Sequence, residues 1–146
     1  MFELVYCSVA SENLAAEDID DVLITSRRFN KANDITGCLL YFNGQFLQVL
    51  EGKKAVVQEL FGKIKKDKRH KNVLLLSEEI VKKRIFENWS MAYCEYDEKA
   101  SDFKSYLFRK NFIAFSNLAE KPTHTIRLFF HTARQMLEEG FYKVQN

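Results

Sequence analysis

The sequence predicts an α+β fold in which one sheet carries two helices on a single face. Three observations lead there. Short apolar runs with period-two alternation are separated by two longer segments whose apolar residues recur at helical spacing. Asn43-Gly44 lies between two strand-like runs, and both central positions of a tight primed turn need positive φ, so 34–42 and 45–52 are expected to form a hairpin. To about residue 97 the elements run β-α-β-β-α-β-β, a ferredoxin-like plan with one added strand, and a C-terminal helical pair follows.

Each element has its own justification. "FELVYC" (2–7) reads as a strand. "AEDIDDVLITSRRFN" (16–30) puts Ile19, Val22, Leu23 and Ser26 on one helical face, with acids early and Arg27 and Arg28 late, as the helix dipole prefers. "DITGCLLYF" (34–42) and "QFLQVLEG" (45–52) flank the Asn-Gly turn, with Gly37, Gly44 and Gly52 assigned to strand ends and turns. The segment 53–67 is a second amphipathic helix carrying Val56, Val57, Leu60, Phe61 and Ile64. "KNVLLLSEEI" (71–80) and "WSMAYCE" (89–95) give two more strands, the latter placing Trp89 and Met91 on one face. Residues 98–118 and 123–140 read as helices separated by Pro122, the second with Ile126, Phe129, Phe130 and Ala133 in register and Gly140 as its C-cap. The chain thus divides into a unit over 1–97 and a helical appendage over 98–146.

Composition narrows the function classes. With 47% hydrophobic and 14% aromatic residues, the chain can build a core and is not disordered. A net charge of +2 is too small to argue for nucleic acid or membrane as partners, and the run "KIKKDKRHK" (63–71) suits the C-terminal end of a helix. The three cysteines stand far apart, and the histidines do not join them at metal-ligand spacing, so no metal site is expected. Without a signal peptide or a long apolar run, a cytoplasmic location is expected.

One residue stands out of pattern. On the strand 45–52, Phe46, Gln48 and Leu50 share a face, and a carboxamide buried there without partners costs roughly 1–3 kcal/mol. Gln48 therefore meets water or something polar docked on the sheet. The other polar candidates among apolar residues are Tyr6 at the end of the first strand and Asn30 at the end of the first helix. No nucleophile–base arrangement or glycine-rich phosphate loop accompanies them. A phenol beside a reversible amide suits electron and proton transfer to a bound aromatic cofactor; equally, the two groups could satisfy each other in a half-buried sheet.

Five stretches resemble the BLUF family, the blue-light sensors using flavin: "LVYCS" (4–8), "SRRFNKANDITG" (26–37), "FLQVLEG" (46–52), "KKDKRH" (65–70) and "FENWSM" (86–91). They come in the family's order and cover residues 1 to 97. The resemblance implies a non-covalent FAD, with FMN as the alternative, lying between the two helices and against the sheet. It implies Tyr6 and Gln48 as the photoactive pair and Trp89 and Met91 as the signal relay. Asn30 would hydrogen-bond the polar edge of the ring, Arg69 and His70 would lie at the flavin, and Val22, Ile24 and Phe29 would wall it. Helical periodicity, by contrast, turns Val22 and Leu23 inward and Ile24 outward. Phe29 stands where relatives often carry a polar side chain.

In the mechanism so implied, light moves an electron and a proton from Tyr6 through Gln48, whose amide ends rotated or tautomerised with a small red shift that reverses in the dark. The cysteines are bystanders, with Cys7 on the opposite sheet face from Tyr6. Output would pass through 98–140 to a regulatory protein or a second copy of the chain. Those Phe-rich helices could instead pack on the free sheet face. The competing functional reading is a light-insensitive ferredoxin-like binding module, and an enzyme such as a flavin reductase is weaker still.

Overall fold

The computed structural model describes residues 1–12, 14–87, 90, 92–96 and 123–145. The elements are β1 (Phe2–Ala10), α1 (Ala16–Ala32), β2 (Thr36–Phe42), β3 (Gln45–Gly52), α2 (Lys54–Lys66), β4 (His70–Ile80), β5 (Ala92–Tyr96) and α3 (His124–Gln145). The sheet order is β4-β1-β3-β2-β5. The first four strands pair antiparallel in the ferredoxin-like arrangement, and β5 adds in parallel to the free edge of β2.

Local chemistry explains the connections. Asn43 and Gly44 both have positive φ, 48° and 75°, which closes the β2–β3 hairpin on the pair Phe42–Gln45. At the start of α1 the Asp18 carboxylate accepts the Ala15 backbone N–H at 2.8 Å, satisfying an amide that the helix itself cannot. Lys63, Lys65 and Lys66 occupy the last turn of α2, where the dipole favours cations, so this part of the basic run has a structural role.

Alternation on the strands sorts the core into two layers. Phe2, Leu4, Tyr6, Leu39, Phe46 and Leu50 face α1 and α2, meeting Ile19, Leu23, Val57 and Phe61. Val5, Cys38, Leu40, Leu47 and Val49 face the other way, against Phe86 and against Ile126, Phe129, Phe130, Ala133 and Met136 of α3. Cys7 joins this second layer, on the face opposite Tyr6.

Several expectations need correcting. The apolar stripe of α3 is spent on the protein's own sheet, so that stripe does not form an exposed docking surface. Gly140 does not end the helix, which continues to Gln145. The last strand begins at Ala92, three residues after the expected start at 89. Trp89, Met91 and the helix expected over 98–118 lie outside the described residues. Gly37 is inside β2, and its role is close approach: a Cβ there would meet the Val49 carbonyl oxygen at 2.0 Å.

Candidate functional site

The face of the sheet that carries α1 and α2 holds a half-open pocket of about 260 Å³. Its floor is Tyr6, Leu39 and Gln48; α1 contributes Val22, Thr25, Ser26, Phe29 and Asn30; α2 and the turn after it contribute Leu60, Lys63, Ile64, Asp67, Arg69 and His70. The volume lies just below the ~300 Å³ at which ligand pockets usually begin, which suits one flat ring system with any attached chain outside the mouth.

The sheet places the central pair. Tyr6 and Gln48 are opposite residues in the β1–β3 register, and the tyrosine hydroxyl donates to Gln48 Oε1. Gln48 is only 5% exposed, so its partners come from the protein or a bound molecule rather than bulk water. Burial, with the negative Asp67 nearby, pushes the Tyr6 hydroxyl far above its ordinary pKa, so the phenol keeps its proton. Its ring packs 5.4 Å from Phe61 and edge-on to His70.

Asn30 supplies the clearest unmet demand. Its Nδ2 donates to the Ser90 carbonyl at 3.0 Å, whereas its buried Oδ1 has no hydrogen-bond partner among the described residues. An acceptor left bare in this way costs about 1–3 kcal/mol unless a ligand N–H reaches it. A flat heteroaromatic ring carrying N–H and C=O groups on one edge meets that requirement, and the apolar wall of Val22, Leu39, Leu60 and Ile64 suits its faces.

At the other end, Arg69 forks onto Asp67, with Nε 3.0 Å from Oδ1 and Nη2 2.6 Å from Oδ2. This pairing holds the Asp67 carboxyl below and the Arg69 guanidinium above their ordinary pKa values, and it leaves three of the five guanidinium N–H groups for other acceptors. His70 is half-buried, with Nδ1 2.8 Å from Ser8 Oγ and its ring 4.9 Å from Phe46. Burial lowers the His70 pKa and so favours the neutral ring. Across the mouth, Lys63 Nζ lies 5.0 Å over the Phe29 ring, tying α2 to α1.

The structure therefore brings together Tyr6, Gln48, Asn30, Val22, Phe29, Arg69 and His70. Ile24 is not among them: it is 57% exposed on the outer side of α1, where the helical period turns it away from the pocket. Trp89 and Met91 lie outside the described residues. Sequence reading did not assign Thr25, Ser26, Leu39, Leu60, Lys63, Ile64 or Asp67 to the site. A signal existed, since 22, 25, 26 and 29 on α1 and 60, 63, 64 and 67 on and after α2 each follow helical spacing along one face.

Comparison with known proteins agrees with this geometry. A family model described as "Sensors of blue-light using FAD" matches residues 1–92. The chain is 35% identical over 86 residues to a photoactivated adenylate cyclase subunit alpha of Euglena gracilis, a match covering 59% of this chain and 8% of that protein. It thus spans about a tenth or less of the length of the curated relatives it matches. Among solved structures, BlsA in its photo-activated state superposes with a TM-score of 0.67 at 30% identity, over 90% of this chain and 92% of that one. A bacterial light-regulated adenylyl cyclase superposes with a TM-score of 0.65 at 33% identity, covering 90% of this chain and 40% of that one.

Proposed function

The chain belongs to the BLUF family of flavin-binding blue-light sensors, and from that premise we propose that it is a photoreceptor in which Tyr6 and Gln48 are the photoactive pair. One observation carries this assignment: the buried hydroxyl of Tyr6 donates to a buried carboxamide at the floor of the pocket. A bound flavin would supply blue-light absorption and an electron acceptor. Tyr6 would give the electron, and its Oη holds the proton that would move with it. Gln48 Oε1 is the atom placed to take that proton. With electron and proton back on Tyr6, the amide of Gln48 would stand with its donor and acceptor ends exchanged and would offer different hydrogen bonds to the pocket.

The remaining pocket residues bind and orient. Asn30 Oδ1 would accept from the polar edge of the ring, Val22 and Phe29 would wall it, and Arg69 and His70 would lie at the end beside Asp67. The cofactor is FAD, as the family description names it, with FMN as the alternative. Asn30→Ala is expected to weaken flavin binding roughly tenfold, the equivalent of one hydrogen bond of about 1–1.5 kcal/mol. A fluorescence titration of the flavin-free protein measures it. An unchanged Kd would mean that Oδ1 has no partner on the cofactor.

Residues 1–97 form the sensor unit and 98–146 carry the signal, without enzymatic activity of their own, to a regulatory protein or a second copy of the chain. The outer side of α3 is the side left for that contact, because its apolar stripe faces the sheet. Asn30 also holds the Ser90 carbonyl, just before β5, so a change at the pocket edge has a route toward the segment of Trp89 and Met91. No described helix is long and apolar enough to cross a membrane. Amide hydrogen exchange in darkness and under blue light tests the output. Protection in α3 is expected to change with light in the native chain and to stay constant in Gln48→Leu. Equal exchange in light and dark for the native chain would contradict the proposed route.

A further inference from the structure

The face of the sheet opposite the pocket carries a row of three glutamates. In the strand registers Glu3 on β1 lies beside Glu51 on β3 and beside Glu79 on β4. Glu3 and Glu51 are fully buried beneath the start of α3 and the segment 81–87. Like charges directly opposite one another in a sheet repel, and burial removes the water that would screen them.

The three carboxyl groups are not equally supplied. Glu51 accepts the Ile85 N–H at 2.7 Å, the Phe86 N–H at 3.0 Å and the Thr36 hydroxyl at 2.9 Å. Arg84 adds a positive charge beside it, donating to Thr36 Oγ1 and to the Glu51 backbone carbonyl. Glu79 accepts both the backbone N–H and the hydroxyl of Thr125, at 2.9 and 2.7 Å, so it sits where a helix N-terminus favours an anion. Glu3 has one donor, the Thr123 hydroxyl at 2.6 Å, and its Oε1 is buried with no partner among the described residues.

Thr123 makes this asymmetry matter to the helix. The same hydroxyl that donates to Glu3 accepts the Ile126 N–H at 3.2 Å, so it is the N-cap of α3. The first turn of α3 therefore rests on Glu3 through Thr123 and on Glu79 through Thr125. Among the described residues the charged groups facing Glu3 are Glu51 from β3 and Glu79 from β4, with Arg84 beside Glu51. His124 and Arg127, on α3 itself, are exposed and are not paired with Glu3.

We propose that Glu3 is a proton-operated latch for the output helix: protonated, it lets the first turn of α3 seat on the sheet, and ionised, it loosens that turn. Burial first, then the carboxylates of Glu51 and Glu79, raise its pKa from 4.5 to about 7, against the opposing effect of the Thr123 hydrogen bond. A carboxyl group whose pKa is raised in the docked form holds docking firmest at low pH. That contribution is lost as pH rises through about 7. The latch is on the face away from the pocket and works in darkness, so it stands or falls independently of the photochemistry.

The test is hydrogen exchange of the full chain with flavin bound, in darkness, with rates corrected for the intrinsic pH dependence of exchange. Between about pH 6 and about pH 8, protection of the first amides of α3 is expected to fall about tenfold, and Glu3→Gln, which cannot ionise, is expected to abolish the fall. A native chain without pH dependence, or a Glu3→Gln variant with the same dependence, overturns the proposal. Infrared absorption of the native chain gives a second reading that does not depend on the variant folding. The carbonyl stretch of a buried protonated carboxyl should be present at about pH 6 and disappear as pH rises through about 7. No such band at about pH 6, or a band that persists unchanged at about pH 8, also overturns the proposal.

Discussion

Tyr6→Phe is expected to abolish the light-induced spectral shift while leaving flavin bound. The phenyl ring keeps the contact with Phe61 at 5.4 Å and the edge contact with His70, so the pocket floor retains its shape. What is lost is the hydroxyl that donates to Gln48 Oε1, and with it both the electron donor and the proton. Without a positioned proton donor the shifted state should form at least about a hundredfold less efficiently, the usual range for losing a general acid. The variant should also lose about 0.5–1.5 kcal/mol of stability, because the hydrogen bond from the Tyr6 hydroxyl to the buried Gln48 carboxamide is removed. Flash spectroscopy together with thermal unfolding reads both effects. A variant that still shifts to the red with native amplitude would remove Tyr6 from the chemistry.

Gly37→Ala is the substitution with the largest expected effect on the fold. A Cβ at this position would stand 2.0 Å from the Val49 carbonyl oxygen and 3.1 Å from its carbon, both backbone atoms of the neighbouring strand. A side chain could rotate away, but backbone in the middle of a five-stranded sheet cannot move without parting β2 from β3. Forcing one extra carbon into packed structure typically costs about 1–3 kcal/mol, and a backbone obstacle puts this case at or beyond the upper end. That corresponds to a fall in Tm of roughly 10 °C for a chain of this size. Gly62 on α2 provides the contrast, since a Cβ there meets nothing within 4 Å. Gly62→Ala should stabilise the helix by about 0.5–1 kcal/mol. If both variants melt with the native chain, the close approach at Gly37 is not what the structure describes.

These two glycines mark where sequence reading ends. The Asn43-Gly44 turn was legible because its requirement is local: two positive-φ positions between alternating strands. The ferredoxin-like plan followed from the succession of elements, alternation put Cys7 on the face opposite Tyr6, and the family resemblance paired Tyr6 with Gln48. Gly37, by contrast, reads like any strand-end glycine, because the atom it makes room for is twelve residues away. Ile24 shows a conflict between two readings, family resemblance and helical period, and the period described its position. Asp67 was missed because an acid in a basic run looks like solvated surface until Arg69 folds back on it. The glutamate row was beyond reach for the same reason as Gly37. Positions 3, 51 and 79 become neighbours only through the strand registers.

The C-terminal region was legible in part. The spacing of Ile126, Phe129, Phe130 and Ala133 announced a helix with one apolar side, but not what that side would cover. The sheet turned out to be what covers it, and Phe129 and Phe130 are buried there.

The most direct test of the central assignment is an absorption spectrum of the purified chain in darkness, after a blue flash, and during recovery in the dark. The account predicts a flavin spectrum that moves slightly to the red after the flash and returns completely, with no such movement in Tyr6→Phe. Flavin that only bleaches, or a purified chain without flavin, would contradict it. Tyr6 and Gln48 would then be a structural pair in a light-insensitive binding module.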